Sequence, residues 1–135
     1  MHSRSSQRFC CRREYLGQAV KHRPIVGTYG FAVDGFGTKA GKNVGSSAPA
    51  AIAGTYNFFP DGTVTRFFTL SVAGEIGDAT DSGSYAVNAD CTGSASINVF
   101  FGVETIKLTI VQGGAAIYFI NATPGIVLAG RMERQ

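Results

Sequence analysis

From Val26 onward the chain alternates apolar and polar residues in short segments broken by turn residues, the pattern of half-buried β-strands rather than of helices. The alternation predicts eight strands, over residues 26–34, 50–59, 63–73, 82–89, 94–101, 104–111, 115–121 and 126–134. Two connections are longer than the rest: the Gly/Ser-rich "GFGTKAGKNVGSSAP" at 35–49 and "GEIGDATD" at 74–81, both expected as loops. Three strands open alike, with "GTYGF" at 27, "GTYNF" at 54 and "GSYAV" at 83. In each, Gly lets the strand bend while Tyr and the apolar residue two places on face one way.

Hairpin chemistry sets the register. In "FFPDGTV" a three-residue loop, with Gly62 in the left-handed bulge position, puts Tyr56 opposite Arg66 and Phe58 opposite Val64. One face of that hairpin then carries Tyr56, Phe58, Val64, Arg66, Phe68, Leu70 and Val72, and the other Thr63, Thr65, Phe67, Thr69 and Ser71. A two-residue Asp-Gly turn would mix the faces. A Gly113-Gly114 turn likewise places Ile110 opposite Ile117 and carries the inward face on to Phe119 and Asn121. A Pro124-Gly125 turn then aligns Leu128, Gly130 and Met132 with it. Tyr29, Phe31, Val33, Tyr85, Val87, Ile97, Val99, Phe101, Ile106 and Leu108 complete an aromatic and aliphatic interior. Antiparallel strands joined in sequence, each with one apolar face, close most economically into an all-β, eight-stranded up-and-down barrel, which removes exposed edges. An open two-layer sandwich is the alternative.

Within that interior Arg66 is the conspicuous charge. A guanidinium does not deprotonate, so it must meet a carboxylate, a ligand or water. The carboxylates expected near the rims are Asp34, Glu75 and Glu104. Two roles follow: a structural ion pair with one of these, or a cationic donor in a cavity for a ligand's carboxylate, enolate or carbonyl oxygen. In the second role the charge is unpaired, and Arg66→Met would leave the fold intact. On the outer face Tyr118, Ile120, Val127 and Ala129 fall on adjacent strands, with Phe67 and Phe100 elsewhere. Such a patch predicts a homodimer or larger assembly.

Composition supports the all-β reading: 44% of the 135 residues are hydrophobic and 16% charged, with 18 Gly and 10 Phe. The length suits one domain. The net charge of +3 is unevenly spread. Residues 1–24 hold six basic residues and one acid, whereas residues 25–135 hold six basic and eight acidic ones, so the chain divides into a basic N-terminal extension and a mildly acidic barrel domain. Within the extension, "REYLGQAVKH" at 13–22 predicts a short helix. No basic or aromatic pattern runs on into the barrel, so nucleic acid is not an expected partner. No apolar run approaches the roughly 20 residues of a membrane-spanning helix. The cysteines Cys10, Cys11 and Cys91 have neither zinc-ligand spacing nor a histidine outside the extension, since His2 and His22 both lie there. They are expected as reduced, non-catalytic thiols, favouring the cytoplasm; a start lying upstream would favour secretion.

No phosphate loop, dinucleotide fingerprint, HExxH or GxSxG is present, and neither metal nor organic cofactor is implied. The pattern "GTYGF … GTYNFFPDGTV … GSYAVNADCTGSASI … IYFI … PGIVLAGRMERQ" resembles a group of small bacterial proteins over residues 27–135. Its most specific parts are the turn from Tyr85 to Gly93 and the closing "PGIVLAGRMERQ". The barrel-like text is more loosely similar to the calycin and allene-oxide-cyclase/dirigent type of barrel. That resemblance implies a cofactor-free cyclase or isomerase shaping an apolar polyketide- or terpenoid-like molecule. The resemblance assigns no residues; from the inward face read above, Arg66, Tyr56 and Tyr85 would be the catalytic groups, and Tyr29, Phe31, Phe58, Phe68, Phe119 and Asn121 would hold the substrate. The alternatives are a non-catalytic carrier of a small apolar anion and a packed barrel serving as an interaction module.

Overall fold

The computed structural model describes residues 25–38, 47–100 and 102–135. The extension with its expected helix, and the middle of the 35–49 loop, lie outside them. Among the described residues eight antiparallel strands close into one barrel in sequence order: β1 (Gly27–Thr38), β2 (Ser47–Phe58), β3 (Thr63–Val72), β4 (Glu75–Val87), β5 (Thr92–Val99), β6 (Gly102–Val111), β7 (Ala116–Asn121) and β8 (Val127–Arg134). Pairing of β1 with β8, through Tyr29 with Arg134 and Phe31 with Met132, leaves no free sheet edge among the described residues. The barrel, not the sandwich, is the fold.

The hairpin registers are those the turn residues dictate. Tyr56 pairs with Arg66 and Phe58 with Val64. Gly62 takes φ 91°, and the Phe59 N–H donates to Thr63 O at 2.9 Å, closing the three-residue loop. Ile110 pairs with Ile117. As expected, Tyr118, Ile120, Val127 and Ala129 face solvent, with Phe67 and Phe100.

The principal departure is β4. "GEIGDATD" is strand, not loop: β3 and β4 meet at a two-residue Ala73-Gly74 turn with φ 53° and 87°, and pair from Val72–Glu75 to Thr63–Ser84. Its text conceals this because its inward positions hold Gly77, Ala79 and Asp81 instead of large apolar residues. β1 and β2 likewise reach further into the expected 35–49 loop, to Thr38 and from Ser47.

The two barrel ends differ. At the end carrying the β2–β3, β4–β5 and β6–β7 connections, Ile25, Tyr29, Phe58, Val64, Ile97 and Ile117 are fully or almost fully buried. Edge-on ring contacts of Phe58 with Tyr29 (5.6 Å) and Tyr85 (4.9 Å) fill the centre. The phenols find carbonyls: Tyr29 O–H donates to Gly114 O, and Tyr85 O–H to Phe59 O at 2.7 Å. Arg134 seals the seam, donating to Val26 O and to the Tyr29 hydroxyl at 2.7 Å each. Cys91 sits at this end and is disulfide-bonded, which corrects the expectation of a reduced thiol. The other cysteines, Cys10 and Cys11, lie outside the described residues.

Burial raises the Tyr29 phenol from 10.0 to about 12 against the opposing pull of Arg134. Burial also raises Tyr85, with Asp61 and Tyr29 adding to it. A phenol whose folded-state pKa exceeds its unfolded value holds its proton more tightly in the native state. Its stabilisation is therefore complete below the ordinary value and is lost as pH rises through the folded one. We expect alkaline unfolding between about pH 10 and 12, with tyrosinate absorbance and loss of the β-sheet circular dichroism rising together. Ionisation of these phenols at their ordinary pH with the fold intact would contradict the assignment.

Candidate functional site

Toward the end carrying the β1–β2, β3–β4, β5–β6 and β7–β8 connections, the inward residues shorten and the barrel is hollow. A cavity of about 370 Å³ opens there. Its walls include Phe31, Ile52, Phe68, Leu70, Ala79 and Phe119, and its floor Tyr56, Arg66, Glu104 and Asn121. Asp81 lines it from β4, and the exposed Phe100 stands at its mouth.

The floor is one connected polar layer. Tyr56, Arg66 and Asp81 are consecutive cross-strand neighbours on β2, β3 and β4. Arg66 meets Asp81 in a two-pronged ion pair, Nε to Oδ1 at 3.0 Å and Nη2 to Oδ2 at 2.8 Å. Its Nη1 reaches across the barrel to Glu104 Oε1 on β6 at 3.1 Å and lies 3.4 Å from the Tyr56 hydroxyl oxygen. Asn121 on β7 donates from Nδ2 to the same Glu104 oxygen at 3.2 Å. Its own Oδ1 accepts from the Thr123 N–H at 2.9 Å in the following turn, which fixes the orientation of the amide. The guanidinium also lies 4.7 Å from the Phe68 ring centre, so an aromatic face covers it. Below this layer Tyr56 stacks on Phe58 at 5.8 Å, where the packed end begins.

Burial opposes the charge on Arg66, but the Asp81 hydrogen bond and the Tyr56, Glu104 and Asp81 oxygens outweigh it and hold its pKa above the ordinary value. Burial likewise raises the Tyr56 phenol, against the pull of Arg66 and with Glu104 and Asp81 adding to it. Tyr56 is therefore a neutral O–H at physiological pH. Two of its neighbourhood's polar functions remain unspent among the described residues. The Tyr56 O–H has no acceptor, and Glu104 Oε2 has no donor.

Of the residues expected at a site, the structure brings Tyr56, Arg66, Phe31, Phe68, Phe119 and Asn121 together on this cavity. It does not bring Tyr29, Phe58 and Tyr85, which belong to the packed opposite end. Their rings are the plug, and the Tyr29 and Tyr85 hydroxyls are bonded to main-chain carbonyls. Among the rim carboxylates, Glu104 is a partner of Arg66, whereas Asp34 and Glu75 are exposed. Asp81 is the partner missed in the sequence. Parity would have found it: residues 81, 83 and 85 share a face, so carrying "GSYAV" backward by one inward position places Asp81 beside Arg66. A search against protein-family models, curated proteins and solved structures finds no match to this chain.

Proposed function

We propose that this barrel binds a small apolar molecule in the cavity above the Arg66 layer. The observation that carries the reading is the asymmetry of the interior. One half is plugged by aromatic residues. The other keeps about 370 Å³ of space with apolar walls and a small convergent polar group at its floor. That volume lies at the lower end of the range for small-molecule sites. A neutral fluorescent probe, N-phenylnaphthylamine, is expected to bind saturably. Ala79→Phe, which projects a ring into the hollow half from a half-buried wall position, is expected to weaken it by about tenfold or more, as lost burial of a few methylene equivalents requires. Absence of saturable binding to the parent protein overturns the reading.

The arginine is no free anion receptor here, because two carboxylates already face it. That favours a neutral or donor-bearing ligand over the apolar anion expected from sequence. A second reading, cofactor-free cyclisation or isomerisation of the bound molecule, is supported by one feature: the Tyr56 O–H and Glu104 Oε2 offer an acid and a base on the same cavity floor. Recovery of bound molecules chemically unchanged after incubation leaves binding as the function. The disulfide at Cys91 supports an oxidising compartment in preference to the cytoplasm.

A further inference from the structure

The charged groups lining the cavity, among the described residues, are Arg66, Asp81 and Glu104. One cation faces two carboxylates, so the fully ionised floor carries a formal charge of −1. The distribution of hydrogen bonds says where that surplus lies. Both Asp81 oxygens are taken by the guanidinium. Glu104 Oε1 takes Arg66 and Asn121 together, leaving Oε2 without a donor among the described residues although the side chain is only 11% exposed. A carboxylate on a nearly buried side chain that keeps one oxygen without a protein donor gains from a ligand that supplies a charge-assisted one. Phe31 and Phe119 line the same cavity, and Phe68 already covers the arginine; an aromatic lining favours a cation over an anion.

We propose that the ligand is an apolar amine, bound as its ammonium with an N–H donated to Glu104 Oε2, and that the cavity rejects the matching carboxylate. This rests on the cavity being a binding site, as proposed above. A carboxylate would meet Glu104 as a like charge and find the arginine occupied, whereas an alcohol would donate one hydrogen bond without cancelling the charge.

Phenethylamine, phenethyl alcohol and hydrocinnamate share one aromatic body and differ at the head. In competition with bound N-phenylnaphthylamine near neutral pH, the amine is expected to displace the probe at about tenfold lower concentration than the alcohol, and the carboxylate to be weakest. Glu104→Gln is expected to abolish the amine's advantage over the alcohol, read as the ratio of the two within that variant. The ranking in the parent protein stands without any variant. Failure of the probe itself to bind overturns the binding site and this inference together. Probe binding with hydrocinnamate equal to or stronger than phenethylamine overturns the ammonium assignment alone, as does an amine advantage that survives in Glu104→Gln.

Discussion

Arg66→Met is expected to cost about 3–5 kcal/mol of folding stability, the penalty for removing one member of a buried ion pair. Against the total stability of a small domain, about 5–15 kcal/mol, that is a large fraction, so the variant is expected to unfold at a much lower urea concentration than the parent. The cause is not the missing guanidinium but what it leaves behind. Asp81 would lose both of its hydrogen bonds, each donated by Arg66, and Glu104 would keep only Asn121. From the sequence, with the arginine imagined unpaired, the same substitution is expected to be harmless; the two carboxylates reverse the sign. Removing them as well separates the two accounts. Arg66→Met combined with Asp81→Leu and Glu104→Met is expected to recover most of the loss, because apolar replacement of a whole buried charge cluster is often neutral or stabilising. Urea unfolding measures both. A single variant with an unchanged midpoint would show that the layer contributes nothing to the fold.

The barrel is legible in the sequence because its information is local. Pro60-Asp61-Gly62 and Gly113-Gly114 set hairpin registers that the structure keeps, and once Tyr56 faces Arg66 the alternation assigns every neighbour to a face. What the alternation conveys is which side faces inward. It does not say whether the interior is filled at a given height. Tyr29, Phe58 and Tyr85 have the same inward parity as Phe31, Phe68 and Phe119, yet the first three pack together and the second three line a hollow. Height along the barrel axis depends on strand stagger and on which ends the connections occupy, and neither is a property of a single strand. Asp81 escaped for a related reason. A strand that lines a cavity needs no large inward residues, so "GEIGDATD" has the composition of a loop, and the arginine's main partner is hidden within it. The Cys91 disulfide was hidden by arithmetic, since three cysteines in the chain do not declare a pair.

That same strand gives the most discriminating test of backbone packing, through one substitution at two positions. Gly83 and Gly77 both face inward on β4. A Cβ built on Gly83 would stand 1.8 Å from Ser96 O and 2.9 Å from Ile97 Cα, both on the backbone of β5. A side chain's flexible end can yield, but a ladder carbonyl cannot without parting the strands. Gly83 is two residues from Asp81, so an outward shift of β4 would also strain the Arg66 ion pair. Gly83→Ala is therefore expected to cost about 3 kcal/mol, the upper part of the usual overpacking range. A Cβ on Gly77 would meet nothing within 4 Å, and the residue does not have the positive φ that would strain alanine. Gly77→Ala is expected to be neutral or to stabilise by up to about 1 kcal/mol through reduced freedom of the unfolded chain. Parallel urea titrations of the two variants read the contrast directly. If they cost the same, close approach of β4 to β5 is not what requires glycine at 83. The Gly-x-Tyr spacing would then mark strand bending alone.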